Sequence, residues 1–186
     1  MAKSLDRTKI LELLTELGSR LDEQGLDMHI YLVGGAAMAL TYDSRRVTCD
    51  IDAIFDHSGI ELSIIREMAT EHGLPEDWLN TAVRPYVPGN DHWASTFEIT
   101  GLSISTASPK HMLAMKLAAF RPQDHKDLRV LFEANGVSNA QQAVDIVFSV
   151  YGADYATMFG TREDYLLRAE SILNQMKIEK EGQMSD

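Results

Sequence analysis

Two aspartates that lie one residue apart, Asp50 and Asp52, are the side chains of this sequence best suited to chemistry. They fall in an apolar stretch, residues 50–55, that reads as a short strand. Because side chains alternate along a strand, both carboxylates share one face and Ile51 and Ala53 share the other. Neighbouring carboxylates repel each other, so a chain tolerates them at a solvated edge or where a cation lies between them. The second case would make this strand a candidate metal site.

A glycine pair precedes the aspartates and supplies a turn that suits a phosphate. The apolar residues 28–33 predict a buried strand, Gly34 and Gly35 end it, and the helix-forming residues 36–40 follow. A strand–glycine–helix turn leaves backbone N–H groups exposed, and a phosphate can approach them closely because glycine has no side chain. Many such turns use paired glycines for backbone geometry alone, so this signal is weak without the aspartates.

Basic residues are concentrated in two places in a chain whose net charge is −11. Arg45 and Arg46 directly precede the aspartates. Residues 110–129 contain five basic residues against two aspartates: Lys110, Lys116, Arg121, Lys126 and Arg129 against Asp124 and Asp127. Lys116 is unusual because it sits inside a very apolar run, where its ammonium either reaches solvent or points into a site that needs a positive charge. A solvated helix face explains the rest of the cluster equally well.

The elements that must position these residues divide into an α/β part and a helical part. Helical periodicity predicts helices over residues 4–24, 60–72, 109–120, 123–136, 138–150 and 161–177, and a short helix from Pro75. Ser4 is the predicted N-cap of the helix over 4–24, and Ser108 is that of the helix over 109–120. Strands are predicted over 28–33, 50–55, 95–99 and 102–106. Residues 84–92 form a turn-rich loop and a candidate mobile flap. We therefore expect a core at 1–107, a helical region at 108–178 and a flexible tail at 179–186.

The composition excludes several classes of protein. Apolar residues make up 45% of the 186 residues, enough for a real core, and the lone cysteine, Cys49, excludes an internal disulfide and a cysteine-rich zinc site. No apolar run predicts a signal peptide or a membrane partner, so we expect a cytoplasmic protein. The acidic charge argues against binding nucleic acid through bulk charge. The two tryptophans, Trp78 and Trp93, are expected to pack, and five of the histidines show no convincing metal-ligand spacing: His57, His72, His92, His111 and His125.

The glycine pair and the aspartates together resemble the signature of the polymerase-beta-type nucleotidyltransferases. The match consists of Gly34-Gly35, fourteen intervening residues and Asp50-Ile51-Asp52. This resemblance implies an α/β nucleotidyltransferase fold, with a small mixed sheet, flanking helices and a C-terminal helical part. It also implies that Asp50 and Asp52 are catalytic and hold Mg²⁺, which prefers carboxylates, phosphate oxygens and water, while the glycine turn holds the triphosphate.

A narrower resemblance covers the later part of the match, which spans residues 28–132. The run from Leu113 to Arg121 and the following residues 124–128 are similar to motifs of the AbiEii and MenT-type toxin nucleotidyltransferases. That family implies that Lys116 contacts the nucleotide phosphates and that Asp127 completes the catalytic site. Thr48, two residues before Asp50, matches a hydroxyl position of some members. Nucleotide-binding roles are further expected for Arg46 and Arg121.

The implied function is transfer of a nucleoside monophosphate from a nucleoside triphosphate (NTP) to a hydroxyl of a tRNA 3′ end or a protein. The resemblance places such an enzyme in toxin–antitoxin or phage-defence systems, with a cognate antitoxin as a further partner. Many superfamily members carry a third acidic residue on a neighbouring strand, and here only Glu98 or Asp127 could replace it. Two alternatives follow: a catalytically inactive nucleotide-binding or complex-forming protein on the same fold, and an antibiotic nucleotidyltransferase that acts on a small molecule.

Overall fold

A mixed sheet organises the first part of the chain. The structure is a computed structural model that describes residues 4–57 and 59–183. Its strands are β1 (Met28–Leu32), β2 (Ile51–Ile54), β3 (Leu79–Asn80), β4 (Ser95–Ile99) and β5 (Leu102–Thr106), in the spatial order β3-β2-β1-β5-β4. The central strand β1 pairs in parallel with β5 and antiparallel with β2. The outer pairs are β2 with β3, parallel, and β4 with β5, antiparallel. The predicted small mixed sheet is confirmed.

Helices precede, interrupt and follow the sheet. They are α1 (Arg7–Glu23), α2 (Gly34–Ala37), α3 (Gly59–His72), α4 (Pro109–Ala119), α5 (Asp124–Ala134), α6 (Ala140–Tyr151), α7 (Ala153–Ala156) and α8 (Arg162–Gln183). A π-helical turn over Met38–Tyr42 continues α2, and a 3-10 turn covers Arg84–Tyr86. No helix in the described part of the chain has the length and hydrophobicity needed to cross a membrane.

The chain divides into two units by its internal contacts. The first contains the described residues up to Val87 together with His92–Ala107, and therefore the whole sheet. The second contains Pro88–Asp91 and the described residues from Ser108 onwards, and therefore α4 to α8. The chain enters the second unit for four residues before it returns to form β4 and β5.

In the first unit, one face of the sheet is apolar and covered. Alternate strand residues on this face are fully buried: Ile30, Leu32, Ala53 and Ile104. α1 contacts β5 and α3, and its buried side chains are those of Ile10, Leu13, Leu14, Leu17 and Leu21. The register places Tyr31 opposite Ile54 and beside Ser105, so Asp52 lies on the other face of the sheet. This alternation is the reason that the aspartate strand keeps its acidic side chain out of the core.

In the second unit, α4 is the central helix. It contacts α5, α6 and α8, and seven of its 11 residues are buried. The guanidinium of Arg168 in α8 donates hydrogen bonds to the carbonyls of Leu117 and Ala118 at 3.2 and 2.9 Å, and to the carbonyl of Phe159 at 3.1 Å. These bonds satisfy carbonyls at the end of α4 that have no partner within the helix.

Several local predictions differ from the structure. The N-cap of α1 is Asp6 rather than Ser4, because the Asp6 carboxylate accepts the backbone N–H of Lys9 at 2.8 Å. The helix predicted from Pro75 is wrong: a turn leads there into β3, which the sequence analysis missed. Ser108 caps α4 as predicted. α8 continues through Gln183, beyond its predicted end, and the last part of the expected tail, residues 184–186, lies outside the described residues.

Candidate active site

The two aspartates lie at the edge of the sheet where β1 ends. Leu32 of β1 pairs with Ala53 of β2 and with Thr106 of β5, and Thr106 pairs with Ser95 of β4. The carboxyl ends of β1 and β5 and the amino ends of β2 and β4 therefore share one edge. Asp52 is the second residue of β2, and Asp50 directly precedes the strand instead of lying within it. Both side chains are partly exposed.

The glycine turn is in direct contact with Asp52. The backbone N–H of Val33 donates to the Asp52 carbonyl at 3.0 Å, which holds the end of β1 against the aspartate strand. Gly34 follows with a φ of +62°, and a Cβ atom at this position would lie 2.8 Å from Asp52 Oδ2. Glycine is thus required at position 34 for two reasons, the left-handed backbone and the space that the carboxylate occupies.

The second glycine makes the same kind of contact with Thr48. A Cβ atom at Gly35 would lie 2.5 Å from Thr48 Oγ1. Thr48 is held in place by two backbone hydrogen bonds with Leu5 at 2.7 and 2.9 Å, and its hydroxyl lies 3.5 Å from Asp50 Oδ1. The structure therefore brings five predicted site residues together in the first unit: Gly34, Gly35, Thr48, Asp50 and Asp52.

These residues form an all-oxygen donor set. Two carboxylates and a hydroxyl match the ligand preference of Mg²⁺, which commonly completes its coordination with substrate phosphates and water. Within residues 4–57 and 59–183, no group of three or more His, Cys, Asp or Glu side chains is arranged to hold a metal ion. The residues present fit Mg²⁺ as a pair of carboxylates with a hydroxyl beside them, next to a glycine turn.

Glu98 lies too far away to serve as a third acidic ligand. It belongs to β4, and β5 and β1 separate this strand from β2. Three strand spacings correspond to about 14 Å. The Glu98 carboxylate instead accepts a hydrogen bond from the hydroxyl of Ser103 at 2.7 Å. Of the two replacements considered for the third acid, Glu98 is excluded by the strand order.

The other two predicted catalytic residues, Lys116 and Asp127, lie in the second unit and contact each other. The Lys116 ammonium is 2.8 Å from Asp127 Oδ2 and 2.8 Å from Asp124 Oδ1. All three side chains are at least nine-tenths buried. Asp124 also accepts the backbone N–H of Arg121 at 3.3 Å, which fixes the start of α5. The Lys116 side chain is thus buried, and its ammonium forms ion pairs with two carboxylates that join α4 to α5.

The remaining basic residues are distributed over both units. Arg46 donates to the carbonyl of the neighbouring Val47, and Arg129 forms an ion pair with Glu179. Arg121 and Lys126 are exposed in the second unit. Lys116 and Arg129 are therefore matched by acidic partners, and Glu179, from outside residues 110–129, lowers the local excess of positive charge.

Sequence reasoning missed a buried histidine–aspartate contact in the second unit. His111 Nδ1 lies 3.2 Å from Asp91 Oδ1, and the two side chains are 3% and 4% exposed. Asp91 also accepts the backbone N–H of Ser108 at 2.7 Å, and His111 Nε2 lies 3.3 Å from the carbonyl of Gly89. The loop predicted to be a flap is thus fastened at its middle to the start of α4. Asp91 and His111 are twenty positions apart, so no local pattern could have paired them.

The two tryptophans have opposite environments. Trp78 is fully buried and donates from Nε1 to the carbonyl of Ile65 at 3.0 Å, which confirms the expectation that it packs. Trp93 is 63% exposed, so the same expectation is wrong for this residue. Its ring lies at an edge-to-face angle to that of His92, with centroids 6.3 Å apart.

Known families and solved structures include proteins that are similar to this chain. A family model described as "Nucleotidyltransferase of unknown function (DUF6036)" matches residues 8–134. This range includes the aspartate pair and the ion pairs of Lys116 with Asp124 and Asp127. Among solved structures, the chain is similar to an antigenic nucleotidyltransferase-like protein from Paracoccidioides brasiliensis, with 14% identity and a TM-score of 0.45, over 79% of this chain and 90% of that one. Among curated proteins, none matches the chain.

Proposed function

The chain belongs to the DUF6036 family of nucleotidyltransferases of unknown function, and we propose that it transfers a nucleoside monophosphate from an NTP to a hydroxyl acceptor. In this reaction a bond forms between the acceptor oxygen and the α-phosphorus as the bond to pyrophosphate breaks. The acceptor is the 3′ end of a tRNA or a protein hydroxyl. The matched family supports nucleotidyl transfer in general, and the choice of acceptor rests on the resemblance to toxin nucleotidyltransferases.

The observation that carries the proposal is the contact between Gly34 and Asp52. The α-carbon of Gly34, which carries no side chain, lies beside the Asp52 carboxylate. A methyl group at Gly34 would come within 2.8 Å of Asp52 Oδ2. Backbone N–H groups at a glycine turn are also a common binding site for phosphate. The same turn therefore serves both groups that nucleotidyl transfer requires, the phosphates and the carboxylates.

In the proposed site, Asp50 and Asp52 would hold Mg²⁺, and Thr48 would support them. When bound, the ion supplies charge stabilisation to the reacting phosphate oxygens. The protein contributes position: the Leu5–Thr48 hydrogen bonds and the Val33–Asp52 hydrogen bond fix the backbone around the carboxylates before substrate arrives. Gly34 and Gly35 would offer backbone N–H groups to the triphosphate, and Arg46 would add positive charge. Catalysis in this proposal comes mainly from positioning and electrostatics.

Lys116, Asp127 and Arg121 enter the proposal through the resemblance to toxin nucleotidyltransferases. An ammonium has three N–H groups, and the two carboxylates of Asp124 and Asp127 take two of them. The third is the donor that Lys116 could offer to a phosphate. Arg121 is exposed at the turn between α4 and α5 and could pair with phosphate in the same way. We further propose that the protein acts in a toxin–antitoxin or phage-defence system, with a cognate antitoxin as partner.

The test is label transfer by the purified full-length protein. It is incubated with each of the four α-labelled NTPs, Mg²⁺ and either total tRNA or candidate protein acceptors. We expect label in one acceptor class, no transfer without Mg²⁺, and at least a hundredfold loss in Asp50→Asn and Asp52→Asn. Asp27→Asn, an exposed aspartate before β1, is the matched control and should transfer at the normal rate. If folded protein transfers no label from any NTP, the enzymatic proposal is wrong.

A non-catalytic nucleotide-binding protein is the second candidate. It is favoured by one observation, that a third acidic ligand is missing from the aspartate pair in the described residues. Calorimetry separates the two candidates. Tight NTP binding that needs no Mg²⁺, from a protein that transfers nothing, would support the binding protein and overturn the enzyme.

A further inference from the structure

β4 is an edge strand of the sheet, and its outer side is open. It ends the strand order β3-β2-β1-β5-β4, and its five residues are exposed or half-buried. Its pairing with β5 is continuous, and it contains no proline and no lysine. Proteins commonly protect an open edge with a proline, a lysine, a bulge or a very short strand, because unpaired backbone groups bind other strands. Glu98 is the one charged residue of β4, so the edge remains available to another strand.

The hydrogen bonds between β1 and β5 show which backbone groups of β5 face β4. The N–H of Met28 donates to the carbonyl of Gly101 at 3.2 Å, and the N–H of Ala107 donates to the carbonyl of Leu32 at 3.0 Å. In a parallel pair, every second residue of a strand bonds to the same neighbour. The odd-numbered residues from 101 to 107 therefore bond to β1, and the even-numbered residues of β5 bond to β4.

The register between β4 and β5 then identifies the outward groups of β4. The partners of the even-numbered β5 residues are Ser95, Phe97 and Ile99, so these three residues direct their N–H and C=O groups to β5. Thr96 and Glu98 direct theirs away from the sheet. Within residues 4–57 and 59–183, no backbone group pairs with these outward N–H and C=O groups.

Two β4 strands related by a two-fold axis at Phe97 satisfy these groups. In this antiparallel register, Thr96 of each copy lies opposite Glu98 of the other, and both pairs exchange backbone hydrogen bonds. Phe97 lies opposite Phe97 of the second copy, in a pair without hydrogen bonds, where side chains approach most closely. A shift by two residues in one direction places Glu98 opposite Glu98, which is unfavourable, and in the other direction places it opposite Ala94, outside the strand. The sequence of β4 is thus self-complementary in one register.

The apolar face of β4 also fits a second copy. Phe97 and Ile99 are half-buried, and a cavity of about 440 Å³ lies beside them, lined in part by Leu11, Leu40, Ser95 and Phe97. In the two-fold register, Ile99 of the second copy lies opposite Ser95, with Cβ atoms about 4.5–5.5 Å apart. This brings an apolar side chain to the cavity, and the two phenylalanine rings pack across the axis. The pairing therefore covers apolar surface that one copy leaves exposed.

We propose that two copies of the chain associate through β4, in antiparallel register about Phe97, and join their sheets into one. This inference goes beyond the proposed function and does not depend on it. The two-fold axis is perpendicular to the sheet, so the Asp52 side chains of both copies lie on the same face of the joined sheet. A five-residue strand gives a small interface, so we expect a weak dimer with a dissociation constant in the micromolar range.

The test is sedimentation velocity of the full-length protein over a range of concentrations. An ionic strength of about 0.15 M screens the repulsion between two copies of net charge −11. We expect a shift from the 20.8 kDa monomer to a dimer as the concentration rises through the micromolar range. A monomer at every concentration would overturn the proposal and leave the edge to an extended segment of another protein.

Thr96→Pro blocks the edge while the pairing with β5 stays intact. Proline lacks the outward N–H, and its ring occupies the place of the second strand, so the dissociation constant should rise at least about tenfold. Thr96→Ala is the matched control: it also removes the hydroxyl that lies 2.8 Å from Ser105 Oγ, but it keeps the N–H. Circular dichroism checks that both variants fold. Equal association of the two variants would overturn the proposal.

Thr96→Lys tests the register without removing a backbone group. The introduced lysine would lie opposite Glu98 of the second copy, so we expect association about threefold tighter. Thr70→Lys makes the same change at an exposed threonine of α3 and controls for the altered net charge. Equal association of the two lysine variants would overturn the register about Phe97.

Discussion

The carboxylate of Asp52 lies directly against the α-carbon of Gly34, with 2.8 Å left between Asp52 Oδ2 and the place where a Cβ atom would stand. A real Cβ cannot occupy that place unless the carboxylate moves. The glycine and the aspartate are therefore a matched pair: the size of one residue fixes the position of the other. A substitution at Gly34 therefore tests the site without removing any charged group.

Gly34→Ala should abolish nucleotidyl transfer while the protein still folds. The methyl group displaces the Asp52 carboxylate, and alanine is strained at a φ of +62° by about 1–2 kcal/mol. We expect label transfer to fall at least a hundredfold. We also expect urea unfolding to give a free energy of unfolding that is lower by about 1–2 kcal/mol. Circular dichroism checks that the fold is retained.

Gly59→Ala is the control for this glycine substitution. A Cβ atom at Gly59 meets nothing within 4 Å, and this residue begins α3. Transfer should stay at the normal rate, because an added methyl group at this residue meets no other atom of the site. If Gly34→Ala were as active as Gly59→Ala, the contact with Asp52 would have no part in the reaction.

Lys116→Met should be among the most destabilising single changes in the second unit. Removal of the ammonium leaves the carboxylates of Asp124 and Asp127 buried without their counter-charge. Loss of one partner of a buried ion pair typically costs about 3–5 kcal/mol. Asp124→Asn should cost less, because Lys116 keeps Asp127. Urea unfolding measures both, and Lys126→Met, an exposed lysine of α5, should change stability by less than about 0.5 kcal/mol.

Asp91→Ala should loosen the start of α4. The substitution removes the acceptor of the Ser108 N–H and the partner of His111, both buried. Each unsatisfied buried group costs about 1–3 kcal/mol, so we expect a loss of about 2–4 kcal/mol in the free energy of unfolding. Hydrogen exchange should show faster exchange at the first turn of α4. Asp27→Ala, at an exposed aspartate, should have neither effect; unchanged exchange in Asp91→Ala would contradict this prediction.

Glu16 should make the protein more stable at neutral pH than in acid. Partial burial raises the pKa of Glu16, but its hydrogen bonds with His72 and Arg20 outweigh that effect, so the net pKa is lowered from its ordinary value near 4.5. Because the folded state binds the proton less readily, the stabilisation is fully present above that value and is lost as pH falls through the folded pKa. Urea unfolding from pH 7 down to pH 3 should show Glu16→Gln less stable at neutral pH, with the difference shrinking below about pH 4.5.

Glu12→Gln is the control for the acid series. Glu12 lies on the same helix and pairs with Lys9 at 3.3 Å on a surface where its side chain is 60% exposed. Exposed pairs of this kind contribute little, so its difference from the original protein should stay near zero at every pH. A pH-independent difference for Glu16→Gln would show that the carboxylate contributes through packing instead of charge.

The parts of the site that were predictable are those that a local pattern encodes. Asp50 and Asp52 share a face because side chains alternate along a strand, and Gly34 and Gly35 end the preceding strand because they permit the turn. Ser108 caps α4 through a bond to a residue three positions later. Each of these relationships spans only a few residues, so the sequence carries it directly.

The parts that could not be predicted depend on contacts between distant residues. The sequence singled out Lys116 by its apolar surroundings and Asp127 only through a family resemblance, and it gave no sign that Asp124 would be a second partner of the lysine. Arg121 and Pro122 break the helix between them, so helical spacing does not apply across the break. Trp93 illustrates another limit, because the exposure of a side chain in a turn depends on what the rest of the chain covers.

Pro88–Asp91 belong to the second unit although β4 and β5 of the first unit follow them in the chain. This arrangement affects the order in which the two units can be completed during synthesis. The ribosome releases Asp91 before β4 and β5, yet this residue completes the beginning of a helix that is synthesised after them. A fragment that starts at Ser108 would therefore lack the Asp91 contacts to Ser108 and His111. Completion of the first turn of α4 depends on a loop that is synthesised before β4 and β5.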